Sequence, residues 1–149
     1  MNYSLNLLKI LGISISRELI DGQRTPEERL FQAIILQAFE DALNMGQHKH
    51  DAYAKQDSYD WFTNDTNDFN NICWSANFEP QIIRSKFNEL ISKKIIKYTS
   101  IQLKWLRYRW LYKQYRACIS FKERKKILKE IKSITGLKTP KENNNKKKP

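Results

Sequence analysis

Glycine is scarce in this chain, with four in 149 residues, at positions 12, 22, 46 and 136. Loops of the forms Gly-x-x-x-x-Gly-Lys, Gly-x-Gly-x-x-Gly and Gly-x-Ser-x-Gly need clustered glycines so that backbone can approach a phosphate or turn sharply at a nucleophile, and the scattered four exclude all three. Proline also numbers four. Many short strands would need more turn residues than this, while abundant Leu, Ile, Lys, Glu and Gln favour helix. Cys73 and Cys118 are too few for a disulfide framework, and both lie in apolar helical patterns, so they read as reduced core residues of a cytoplasmic protein. His48 and His50 are two apart, which on a helix directs them to different faces, and no Cys-x-x-Cys or His-Glu-x-x-His accompanies them. Asp57, Asp60, Asp65 and Asp68 lack the glycine and closing glutamate of a calcium loop and read as solvated groups and helix caps. No metal, no cofactor and no enzymatic activity is therefore expected. No apolar run reaches the length of a membrane span. The N-terminal run NYSLNLLKILGISIS has no positive charge ahead of its apolar residues, is interrupted by Lys9 and is followed by no small-residue cleavage site, so targeting is not expected.

Charge is present in quantity but unevenly placed. Residues 1–80 hold 6 Lys and Arg against 12 Asp and Glu, whereas residues 81–149 hold 21 against 4, so a half of net −6 precedes one of net +17 and the whole is +11. A basic half of this size attracts polyanions, and asymmetry between halves points toward nucleic acid or an anionic surface.

Hydrophobic spacing predicts one all-α domain of six or seven helices over residues 1–135 and a disordered basic tail over 136–149. The first helix covers residues 3 to 20, whole or broken near Gly12, and Asp21-Gly22 marks a turn. Thr25-Pro26-Glu27-Glu28 is a helix start, with Thr25 as cap, Pro26 in the first turn and Glu28 completing a capping box. From it runs an apolar face of Leu30, Phe31, Ile34, Ile35, Ala38, Phe39, Ala42 and Leu43, ending near Gly46. Ala52, Lys55, Tyr59 and Phe62 share one side of a third helix, His48 to Phe62. A last helix, Phe121 to Ile134, carries Ile127, Leu128, Ile131 and Ile134 on one face, with Gly136 placed to cap it.

Between them, at 68–91, lie two short amphipathic helices with a tight turn. Phe69, Ile72, Cys73 and Ala76 stripe the first, which Asn67 or Asp68 can cap; Ile83, Phe87, Leu90 and Ile91 stripe the second, which can extend through Ile95 and Ile96. Asn77 suits a left-handed turn position and Pro80 a first helical turn. This is the helix-turn-helix layout, in which the second helix presents polar side chains to the major groove of duplex DNA. The base-reading candidates are Gln81, Arg84, Ser85 and Asn88, because Arg pairs bidentately with guanine and Gln or Asn with adenine. Lys86, Lys93, Lys94 and Lys97, with Arg107, Arg109 and Lys113 further on, are the phosphate-contact candidates. Asn77 replaces the usual turn glycine, Lys86 stands where an apolar residue is usual, and Glu79 would repel phosphate.

The residues Trp61, Asp68-Phe69, Ile72-Cys73, Ala76, Phe78, Pro80 and Ile83-Arg84 give a run over 61–91 that resembles small phage-derived and alphaproteobacterial proteins reading W, then D-F-x-x-[IV]-C-x-x-A-G-[LF]-[DE]-P-x-x-[VI]-R. Those proteins are generally regarded as helix-turn-helix proteins, many of unassigned role. The resemblance covers about thirty residues. It implies DNA binding, in a transcriptional or phage-type regulatory setting, and names no target.

The run IQLKWLRYRWLYKQYRACI, residues 101 to 119, interleaves aromatic and basic residues and supports three readings. It is a nucleic-acid surface of stacking rings and neutralising cations, an interfacial membrane helix, or plain core with Leu103, Leu106, Trp110 and Ala117 against the second motif helix. The expectation as a whole is a cytoplasmic duplex-DNA-binding protein whose acidic half supplies the core and a surface for a homodimer. The alternatives are a non-enzymatic protein-interaction module or adaptor, and an RNA-binding protein acting through residues 101–119.

Overall fold

A computed structural model of the chain describes residues 5–21 and 24–135, so the Gly22 turn, the Gly136 cap and the basic tail expected over 136–149 lie outside the described residues. Those residues form eight helices and no strand: α1 Leu5–Leu11, α2 Ile13–Asp21, α3 Pro26–Leu43, α4 Lys49–Thr63, α5 Asn67–Ser75, α6 Pro80–Ser92, α7 Ser100–Ala117 and α8 Phe121–Thr135. The first expected helix is split in two because Gly12 adopts φ +87°, open to glycine and strained for other residues. The Ser16 hydroxyl donates to the Leu8 carbonyl at 2.6 Å and fastens the corner.

Thr25 caps α3 by accepting from the Glu28 amide at 3.2 Å. The Glu28 carboxylate faces the Arg24 guanidinium instead of closing the capping box. The inward face of α3 is also rotated from the expected stripe. Gln32, Ile35, Leu36, Phe39 and Ala42 are buried, while Leu30 and Ile34 are 59% and 39% exposed. Gln32 is drawn inward by a hydrogen bond that apolar periodicity does not register: its Nε2 donates to the Ala76 carbonyl at 3.1 Å, tying α3 to the end of α5.

Helix α3 packs on α4 and α5, α6 packs on α4 and α5, and α7 lies on α4 and α8. Phenylalanines from four helices meet at the centre. Phe62 of α4 stacks on Phe87 of α6 with centroids 4.3 Å apart, lies 4.6 Å from Phe39 of α3 and meets Phe69 of α5 edge-on at 6.0 Å. All four rings are fully buried. Each such ring contributes a few kcal/mol by leaving water, with a further increment of about 1 kcal/mol per favourable ring pair.

Helix α7 is held differently. The face expected to be core is outside, with Leu103 55% and Trp110 57% exposed, and the fully buried α7 positions are Gln102 and Leu111. The helix also rests on α4 and α8 rather than on α6. Its seam with α4 is polar. Lys55, fully buried, donates to the Asn44 carbonyl at 2.9 Å, the Lys97 carbonyl at 2.5 Å and Gln102 Oε1 at 3.1 Å. Gln102 Nε2 in turn donates to the carbonyls of Asn44 at 2.8 Å and Gly46 at 3.1 Å. The same Gln102 closes a capping box with Thr99 at the start of α7. Burial pushes the Lys55 ammonium down to about 8, since no carboxylate accompanies it among the groups it bonds.

Candidate nucleic-acid interface

Helices α5 and α6 are joined by Ala76, Asn77, Phe78 and Glu79. Thr66, and neither Asn67 nor Asp68, caps α5, its hydroxyl accepting from the Phe69 amide at 3.3 Å; Asp68 instead accepts from Trp61 Nε1 at 2.9 Å. The helix ends in a Schellman turn: the Phe78 amide donates to the Cys73 carbonyl at 2.9 Å and the Asn77 amide to the Trp74 carbonyl at 3.0 Å. Asn77 supplies the left-handed residue, φ 63°, where glycine is commonest. Asparagine tolerates this conformation better than other residues with a side chain, so the missing glycine does not spoil the turn. Phe78 is buried and Pro80 opens α6 in its first turn.

Helix α6 is oriented by burial. Ile83, Phe87 and Leu90 are at most 2% exposed and point into the phenylalanine cluster. Spacing of four and three residues then sets Gln81, Ser85 and Asn88 on the opposite, solvent-exposed side. The helix stops at Ser92 rather than running on to Ile96, because Lys94 turns left-handed at φ 58° and a second Schellman turn returns the Ile95 amide to the Leu90 carbonyl at 3.0 Å.

Arg84 is separated from the stripe it was expected to share. Its guanidinium lies 4.7 Å over the Phe69 ring, its Nε donates to the Phe62 carbonyl at 3.2 Å and an Nη stands 3.6 Å from Asp65. In this arrangement it ties α6 to α4 and α5. One of its Nη atoms is buried without a hydrogen-bond partner among the described residues.

The phosphate-contact candidates divide in the same way. Lys86 and Lys93 both grip Glu89, at 2.5 and 2.8 Å, and their hydrogen bonds hold the Glu89 carboxyl down at about 2. Arg107 faces Glu130 at 3.9 Å, and Arg109 pairs with Asp57 at 2.8 Å. Lys94, Lys97 and Lys113 are exposed. Three of the four aspartates of the acidic stretch thus do more than sit in solvent or cap helices: Asp57, Asp65 and Asp68 each hold a specific side chain of another element.

His48 and His50 do not diverge as two helical residues would. His48 precedes α4 with extended backbone, and the two rings stack with centroids 5.6 Å apart. No group of three or more His, Cys, Asp or Glu side chains suited to a metal ion occurs among the described residues. Cys73 is buried, and burial pushes its thiol up to about 11, while Cys118 lies in the α7–α8 turn rather than in a helix. No helix among the described residues is long and apolar enough to cross a membrane.

Two features escaped the sequence reading. One is the Lys55–Gln102 knot, for which the only signal was the Thr99-x-x-Gln102 capping pattern. The other is the α4 side, Lys49 and Tyr53, of a basic, tyrosine-lined cavity whose α7 side comes from the aromatic and basic run 101–119. Compared with protein-family models, curated proteins and solved structures, the chain matches none.

Proposed function

We propose that this protein binds duplex DNA, with α5 and α6 acting as a helix-turn-helix and α6 as the reading helix. The observation that carries the reading is the exposed Gln81–Ser85–Asn88 stripe, set on a helix whose other side is fixed in the aromatic core and which follows α5 after a four-residue turn. Amide side chains in this position pair with adenine, and Ser accepts or donates to either base. Exposed Lys94 and Lys97 just beyond the helix suit phosphate contacts. Arg84 contributes by holding α6 at its angle. The net +17 of residues 81–149 supports attraction to a polyanion. An anisotropy titration against a labelled duplex tests the reading: affinity is expected to fall steeply between 50 and 200 mM salt, as counterion release requires. Absence of binding at low salt overturns it.

A second reading, a protein-interaction module, is favoured by a groove between α3, α4 and α5. Leu30, Ile34, Trp61 and Ile72 line this cavity of about 660 Å³, and Asp41, Asp57 and Asp68 stand along it. Such a groove suits an apolar helix face bordered by cations. Capture of a defined basic helical peptide by a chain that ignores DNA at low salt is the result that favours it.

A further inference from the structure

Helices α4 and α7 enclose a second basic feature, away from the exposed stripe of α6. From α4 come Lys49 and Tyr53, one turn apart. From α7 come Tyr108 and Tyr112, also one turn apart, with Arg109, Lys113 and Arg116 along the adjoining rows. The cavity between them holds about 570 Å³ and no carboxylate is among its lining residues. That volume falls in the range of about 300–1,000 Å³ typical of small-ligand sites.

Its cations are posted against its rings. The Lys49 ammonium lies 5.6 Å from the centre of the Tyr108 ring and the Arg109 guanidinium 4.7 Å from that of Tyr53. Arg109 is the one partly spent, on Asp57 at 2.8 Å beside the cavity. Lys49, Lys113 and Arg116 are exposed. Tyrosine phenols are protonated near neutral pH and can donate hydrogen bonds; burial raises Tyr53 further, and burial together with a hydrogen bond to Tyr112 pushes Tyr108 up to about 12.

We infer that this cradle binds the phosphate of a nucleotide, free or within a single strand of nucleic acid, with the cations on the phosphate and the tyrosine rings against sugar or base. A bare oxyanion would leave the aromatic wall unfilled. Stacking surfaces beside a phosphate-neutralising row are the pattern by which single strands are held without sequence preference. A duplex keeps its bases stacked inside and offers those rings no base face. The site is independent of α6 and stands whether or not α6 reads DNA.

The test is fluorescence anisotropy of the full chain with fluorescein-labelled (dT)10, using the pair Lys113→Glu with Arg116→Glu. Both positions are exposed, so the fold is expected to survive, as circular dichroism will report. The pair should weaken binding by about tenfold or more and flatten the salt dependence by roughly 1.4 in slope, as two lost single-strand phosphate contacts require. Charge reversal of Lys125 and Lys126 on α8 should change affinity by no more than about twofold, because neither lines the cavity and an exposed pair outside it adds only screened attraction. Gln81→Ala with Asn88→Ala should leave (dT)10 binding unchanged. Displacement by AMP assigns the cradle to a free nucleotide, and displacement only by longer strands assigns it to a strand; either supports the inference. Equal losses from the α7 and α8 reversals, loss through the α6 variants alone, or binding to phosphatidylserine vesicles without binding to (dT)10 overturns it.

Discussion

Helices α6 and α7 are attached to the same neighbour, α4, by opposite means. Helix α6 sinks Ile83, Phe87 and Leu90 among phenylalanines, with the Arg84 bond to the Phe62 carbonyl as a polar tie beside them. Helix α7 buries Leu111 and is otherwise held by Lys55, Gln102, a Trp105 Nε1 bond to the Gln47 carbonyl at 3.1 Å, and the Arg109–Asp57 pair. Apolar attachment is non-directional and carries no titrating group. Buried polar attachment fixes a unique geometry but exposes it to titration and to the cost of any lost partner. The contrast separates two surfaces that charge alone would merge: an α6 stripe held by close packing, and an α7 cradle whose placement rests on hydrogen bonds.

Breaking the apolar side should have the largest effect. Phe62→Ala removes the ring that touches Phe39, Phe69 and Phe87, and is expected to cost about 3–5 kcal/mol in a denaturant titration. A loss under 1 kcal/mol would show that α6 does not depend on the cluster. On the polar side, Lys55→Met leaves the Lys97 carbonyl without its donor and opens the knot, while also removing a desolvated charge. The lost charge-assisted bonds outweigh the relief, and the net cost should be about 2 kcal/mol. Hydrogen exchange at the start of α7 should rise with it while the α6 amides stay protected.

The third prediction concerns pH. Lys55 titrates near 8 in the folded chain against about 10.4 when unfolded, so between those values the unfolded state binds more protons and stability rises with pH. Cys73 acts in the opposite sense above about 9, because its buried thiol resists ionisation. The comparison is therefore made as the difference between the native chain and Lys55→Met, which share Cys73. That difference should grow from pH 8 to pH 10 by on the order of 1–2 kcal/mol, and a flat difference contradicts the buried charge. Smallest is the turn between α5 and α6. Asn77→Ala should cost about 1 kcal/mol and Asn77→Gly almost nothing, because only the former penalises φ 63°.

Much of this fold is legible in residue spacing, and the reasons for the exceptions are specific. Asn77, Pro80 and Thr25 announced their positions because backbone conformation, a missing N–H and a capping hydroxyl are local properties. The inner faces of α3 and α7 are not legible in spacing because Gln32 and Gln102 are buried by hydrogen bonds to residues 44 and 58 positions away. Periodicity counts apolar residues and cannot see such partners. Helix α7 adds a second difficulty, since it carries large apolar side chains on every face. Arg84 looked like a reading residue by type and spacing. Phe69 and the Phe62 carbonyl hold it against α4 and α5, and both are remote from its own helix in sequence.

The most direct measurement is selection of bound sequences from a randomised duplex pool by the native chain and by Gln81→Ala with Asn88→Ala. The native chain is expected to enrich a short motif containing adenine at the positions the amides reach, and the double variant to lose the preference while retaining salt-dependent affinity. Recovery of the same motif by both proteins, or of no motif by the native chain, would contradict α6 as the reading helix.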